Sequence, residues 1–73
     1  MSLRGWHGKV GSTVAALRKK KRISQEELSF VSAVDRTYMS RIEQGKANPT
    51  LRVLQRIARA LRVSIVDLLE GNL

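Results

Sequence analysis

The chain has 73 residues, no cysteine and a net charge of +8, from fourteen Lys and Arg against six Asp and Glu. That length fits one domain, near the size at which a single apolar core is only marginally stabilising. Without cysteine there is no disulfide framework or thiolate metal site, and the lone His7 supports neither a metal cluster nor histidine-based acid–base chemistry.

The positive charge calls for a polyanionic partner, nucleic acid ahead of an anionic membrane surface. No apolar run approaches the roughly 18 residues a membrane span needs. No signal-peptide pattern is present either, so the expected location is cytoplasmic.

Residues 1–8, MSLRGWHG, contain two glycines and no period. They read as a flexible N-terminal arm, with Trp6 either free or folded back onto the body or a partner subunit. Residues 9–73 read as the domain proper. From residue 9 to 21, Val10, Val14 and Leu17 recur at helical spacing, Thr13 fills the same face and Arg18 stands at its edge. The basic cluster Lys19, Lys20, Lys21 and Arg22 suits the negative end of the helix dipole, and is equally placed for phosphate contact or steering.

Two short helical patterns follow, about three residues apart. Ser24 with Glu27 three positions on has capping-box spacing, and Leu28 is the first buried position. The second pattern has Asp35 as N-cap, apolar Met39 and Ile42, and Gly45 as a stop. Helix, tight turn, helix at this size is the helix-turn-helix layout, whose second helix enters the DNA major groove.

Residues 45–50, GKANPT, form a loop that ends in Thr50 as N-cap. In the helix from 51 to about 61, one face gathers Leu51, Leu54, Ile57, Ala58 and Leu61. The opposite face carries Arg52, Arg56 and Arg59. This is the pattern of a solvated face, with Arg52 the exception nearest the loop. Ser64 and Asp67 frame a last short helix ended by Gly71. There Val63, Ile65 and Leu68 complete the core, while Val66, Leu69 and Leu73 exceed what one small core needs and are candidates for a dimer contact. No strand pattern appears. The fold class is all-α, with five helices.

Stepping 100° per residue along the second motif helix puts Met39 and Ile42 on one side. Thr37, Ser40, Arg41 and Gln44 fall on the other, with Arg36 and Tyr38 at its margins. This is a base-reading set. Arg can give two bonds to guanine, Gln can pair with adenine, and the Thr methyl can touch the thymine methyl. The plainer alternative is a set of exposed polar residues on a surface helix.

Gln25, in the first turn of the preceding helix, is a candidate phosphate clamp through its side chain and backbone N–H. Lys46, Asn48, Thr50 and Arg52 are candidates for a second clamp; ordinary capping and solvation is the competing reading. Arg18 and Glu43 stand at the rims of their apolar faces and are expected to meet as a structural, partly buried ion pair.

The segments Ile23-Ser24-Gln25-Glu26-Glu27-Leu28 and Val34-Asp35-Arg36-Thr37-Tyr38-Met39-Ser40-Arg41-Ile42-Glu43 carry a recognisable pattern. It continues through Gly45-Lys46, Asn48-Pro49-Thr50 and Ile57-Ala58-Arg59-Ala60-Leu61 to Val63-Ser64. Over roughly residues 10–69 the chain resembles the Cro and phage-repressor (XRE) type helix-turn-helix family.

The resemblance implies a compact five-helix, lambda-repressor-like DNA-binding domain, usually dimeric and operator-binding. It implies that Gln25 binds phosphate, that Arg36, Thr37, Tyr38 and Arg41 lie at the groove, and that Arg18 pairs with Glu43. The compact form with Asp35-Arg36-Thr37-Tyr38 also looks like the controller proteins of restriction–modification systems. Some positions depart from the pattern. Ser29 stands where Ala is common, Ala33 replaces the usual turn Gly, Arg22 stands where Gly often ends the first helix, and Phe30 and Val31 occupy commonly polar positions.

The expected function is therefore sequence-specific binding of double-stranded DNA by a homodimeric transcriptional regulator on a palindromic operator, with residues 36–44 in the major groove. No cofactor, metal, membrane or small-molecule ligand is expected. The alternative is an antitoxin-like protein-interaction module that also binds DNA. An enzyme is disfavoured: there is no histidine–acid cluster, no cysteine and no phosphate-cradling Gly loop.

Overall fold

The computed structural model describes residues 6–73. Among them are five helices: α1 (Trp6–Lys20), α2 (Gln25–Ser32), α3 (Arg36–Glu43), α4 (Leu51–Leu61) and α5 (Ile65–Glu70). The reading of residues 1–5 as a flexible arm lies outside the described residues.

Residues 6–8 belong to α1, which starts one turn before the first obvious apolar position. Trp6 lies four residues ahead of Val10 and so extends the same stripe. It is half-buried and packs against the core.

Four of the helices are started by side-chain caps. Ser24 Oγ accepts the Glu27 N–H at 2.9 Å, Asp35 Oδ2 that of Tyr38 at 3.1 Å, and Thr50 Oγ1 that of Val53 at 3.2 Å. At Ser64 the box closes in both directions. Asp67 donates its N–H to Ser64 Oγ at 3.0 Å, and its carboxylate accepts the Ser64 N–H at 3.1 Å. That backbone N–H, helped by the Asn72 amide and the Ser64 side chain, holds the Asp67 carboxyl below the usual range. At Ser24 only the hydroxyl half of the expected box is present, because Glu27 is exposed and returns no bond.

Three non-glycine residues take left-handed backbone at or just beyond helix ends: Arg22 (φ 58°), Ala33 (φ 57°) and Arg62 (φ 59°). Each carries a strain of about 1 kcal/mol that glycine would avoid. At Ala33 the conformation lets its N–H reach Phe30 O at 3.2 Å and the next N–H, of Val34, reach Ser29 O at 3.0 Å. The chain thereby turns sharply enough for α3 to cross α2.

The core draws on every helix. Val10, Val14 and Leu17 come from α1, Leu28 from α2, Met39 and Ile42 from α3, Leu54, Ile57, Ala58 and Leu61 from α4, and Leu68 from α5; Val34 joins them from the turn. Leu51, assigned above to the core face, is 64% exposed. As the first residue of α4, one turn beyond Leu54, it overhangs the end of the core.

Helix α1 packs on α3, α4 and α5, while α2 packs on α3 and α4. The motif pair thus rests on a base of α1, α4 and α5. Two glycines permit the α1–α3 contact. A Cβ on Gly11 would lie 2.1 Å from the Ile42 carbonyl oxygen, and one on Gly45 (φ 74°) would lie 2.9 Å from Gly8 Cα. Backbone thus meets backbone along one side of α1.

Replacing Gly11 by Ala adds helix propensity worth about 1 kcal/mol but forces α3 away from α1. The net expectation for Gly11→Ala is a loss of about 1–3 kcal/mol, read as a lower urea midpoint with an unchanged slope.

Candidate nucleic-acid interface

The outward side of α3 follows from which of its residues the scaffold consumes. Met39 and Ile42 are fully buried, so the opposite side must face outward. On that side Arg36, Thr37, Arg41 and Gln44 are exposed and Ser40 is half-buried. Gln25, Arg36, Thr37, Ser40 and Arg41 line one shallow depression, which brings the start of α2 and the outer side of α3 onto a common surface.

Tyr38 and Gln44 do not line that depression. Tyr38 is half-buried, with its ring packed against the core. Gln44 caps the far end of α3 and lays its amide on Ser40 Oγ at 3.0 Å.

Local bonds hold several of these side chains ready. Arg36 Nη1 lies 3.1 Å from Glu26 Oε2, an exposed pair across α2 and α3. Arg41 Nη2 donates to the Lys46 carbonyl at 3.1 Å, leaving most of its donor fork free.

Beneath the depression lies the Arg18–Glu43 pair. Arg18 Nε donates to Glu43 Oε2 at 2.8 Å and Nη2 to Oε1 at 3.0 Å, a two-bond geometry with side-chain exposures of only 13% and 8%. Arg18 Nη1 also donates to the Ile23 carbonyl at 3.0 Å, tying the α1–α2 link to the same guanidinium. The hydrogen bonds to Glu43, assisted by its charge, raise the Arg18 pKa against the opposing effect of burial.

Gln25 Nε2 donates to Glu43 Oε1 at 3.2 Å. One carboxylate therefore joins α1, α2 and α3. The second amide N–H of Gln25 and its backbone N–H, in the first turn of α2, remain available to a phosphate oxygen.

The candidates for a second clamp are spread over the loop after α3 and the start of α4. Lys46, Asn48, Thr50 and Arg52 are all exposed. Thr50 Oγ1 accepts the Val53 N–H as a cap, which leaves its O–H free to donate. Asn48 Oδ1 lies 3.0 Å from His7 Nε2, so α1 reaches this loop, a link no sequence period signals.

Arg56 departs from the solvated-face reading. Its Nε donates to Ser32 O at 3.0 Å and its Nη2 bonds Ala33 O, so it clamps the C-terminal end of α2 to α4. Two carbonyls left open at a helix end are a ready acceptor pair for a guanidinium, but sequence spacing alone does not place them opposite residue 56. Val66, Leu69 and Leu73 are 50%, 41% and 67% exposed and stand at the α5 end of the molecule.

Residues 14–68 match the family model described as helix-turn-helix. The chain belongs to this helix-turn-helix family.

It is 44% identical over 59 residues to an uncharacterised helix-turn-helix-type transcriptional regulator of Sinorhizobium fredii, covering 81% of this chain and 77% of that one. It is 41% identical over 61 residues to control protein C.BamHI of Bacillus amyloliquefaciens, covering 82% and 75%. Among solved structures, the restriction–modification controller protein C.AhdI of Aeromonas hydrophila superposes with a TM-score of 0.83 at 35% identity, over 85% of this chain and 94% of that one.

The family consists of DNA-binding transcription regulators and not enzymes, and this chain is a DNA-binding transcriptional regulator. No helix among the described residues is long and apolar enough to cross a membrane.

Because Glu43 joins three helices while largely buried, its removal leaves Arg18 uncompensated. Glu43→Ala is expected to cost about 3–5 kcal/mol, seen in chemical unfolding. DNA affinity should fall in proportion to the unfolded fraction, together with a further loss from release of Gln25.

Proposed function

We propose that the regulator binds as a homodimer to a palindromic operator, with α3 in the major groove of each half-site. The half-sites would lie about one helical turn, ~34 Å, apart. The observation that carries this reading is the shared surface of Gln25, Arg36, Thr37, Ser40 and Arg41. A helix start with free N–H groups and an exposed recognition helix share one surface, in a chain of net charge +8.

In this reading Arg36, Thr37, Ser40 and Arg41 read base edges, and the Tyr38 hydroxyl and Gln44 contribute from the two ends. Gln25, Lys46, Asn48, Thr50 and Arg52 hold the phosphate backbone and fix the register. Phosphate contacts supply affinity for any duplex, while α3 supplies the difference between sequences. Such a regulator works where the DNA is, in the cytoplasm. Likeness to controller proteins of restriction–modification systems supports a role as the regulator of such a system. The exposed Val66, Leu69 and Leu73 supply the dimer contact.

The test is a fluorescence titration on duplex from the promoter of its own gene at about 150 mM salt. Preference for that duplex over random sequence is expected, and equal binding would remove sequence specificity. Arg36→Ala should cost about 1–3 kcal/mol on the preferred site and flatten the difference between sequences. Gln25→Ala should weaken all duplexes alike.

For the dimer, Leu69→Asp leaves the monomer folded, since Leu69 lies outside the core. Sedimentation should show dissociation to monomers, with loss of tight binding to the paired half-sites but retained weak binding to one. A Leu69→Asp variant that still sediments as a dimer would exclude the α5 contact.

A further inference from the structure

A second depression lies between α2 and α4, and DNA recognition leaves it unused. It encloses about 700 Å³ and shares no lining residue with the depression formed by Gln25 and the α3 side chains. Its floor is apolar: Leu28 and Leu61 are fully buried beneath it, Ala60 is half-buried, and Val31 is 61% exposed at its edge. Its rim is cationic, with Lys21, Arg59 and Arg62 all exposed, and Glu27 the one carboxylate.

These features conflict with the simplest account of each residue. A purely solvated α4 face needs no apolar floor, and an apolar patch left only by imperfect packing needs no ring of cations. Phosphodiester backbone fits the floor poorly, because the side chains of Val31, Ala60 and Ile23 offer it no hydrogen bond. A second copy fits poorly too, since each chain carries a net charge of +8 and would bring more cations to the same rim.

We propose that the α2–α4 groove docks an acidic, amphipathic segment of another protein. The partner's apolar side chains would lie on Val31 and Ala60, above the buried Leu28 and Leu61, and its carboxylates would face Lys21, Arg59 and Arg62. The complementarity is of two kinds at once, apolar at the centre and charged at the rim, the usual anatomy of a protein interface. Because the groove and the α3 surface have no residue in common, the regulator can hold DNA and this partner together. The proposal therefore gives the domain a way to act on a protein bound near its operator.

The test uses the full chain saturated with duplex DNA, so that the α3 surface is occupied. The probe is a fluorescein-labelled acidic peptide of about 14 residues with leucines at helical i, i+3, i+4 and i+7 spacing. Its controls are a scrambled peptide of identical composition, and decanoate as a small amphipathic anion. The patterned peptide should bind at least about fivefold more tightly than its scramble.

Arg59→Glu should abolish that preference while changing DNA affinity no more than the charge-matched Lys9→Glu does. Lys9→Glu, an equal charge change on α1 outside the groove, should retain it. Val31→Ser, at an exposed position that does not endanger folding, should reduce binding of the patterned peptide alone. Equal binding of peptide and scramble, or equal losses in Arg59→Glu and Lys9→Glu, would reduce the effect to net charge and overturn the proposal. Saturable decanoate binding without peptide preference would overturn it in favour of a small-molecule site. Loss of DNA binding in the unmodified chain would instead count against the operator reading, which is measured separately.

Discussion

The carboxylate of Glu43 is the point on which the rest of the domain depends. It sits at the end of α3, takes two bonds from Arg18 of α1 and one from Gln25 of α2, and is shielded from water by all three helices. A largely buried charge is tolerated only when its lone pairs are satisfied. The three helices can therefore dock only in the arrangement that brings Arg18 and Gln25 to it. That arrangement also brings Gln25 and the outer side of α3 onto one surface. The structural ion pair thus sets how the start of α2 and the outer side of α3 are placed relative to one another.

The turn between the motif helices shows the cost of that geometry. Ala33 takes a left-handed backbone where glycine would be free of strain, and Ser29 is buried beside it with its hydroxyl unpaired. Arg56 offsets some of this by donating to the carbonyls of Ser32 and Ala33 from α4. The turn is held from outside by a cation where its own sequence is unfavourable. Arg56 therefore belongs to the scaffold, while Arg59, three residues further along the same helix, is left to the groove rim.

The number of helices and their caps were legible in the chain, since Ser24, Asp35, Thr50 and Ser64 each precede an apolar period. Most of the core was legible for the same reason: Leu28, Met39, Ile42, Leu54, Ile57 and Leu61 recur at helical spacing. The outward side of α3 follows once Met39 and Ile42 point inward. Less legible were contacts between residues far apart in sequence. Trp6 was hidden by Gly8 and Gly11, which break the visible period while permitting the α1–α3 approach. The His7–Asn48 contact, the Arg56 clamp and the overhang of Leu51 leave no local trace.

The sequence by itself determined that this is a basic, all-helical domain with a helix-turn-helix pair and a polar outer face on its second motif helix. Those properties rest on short-range rules, the period of a helix, the chemistry of its caps and the sum of its charges. Tertiary structure completed the division between polar side chains spent on the fold and those left available. Arg18 and Glu43 are marked in the sequence by their rim positions, but Arg56 looks no less exposed there than Arg36, Arg41 and Arg59. Only the crossing of α1, α2 and α3, set where backbone meets backbone at Gly11, buries the first pair, and only the seat of α2 on α4 commits Arg56 to the turn.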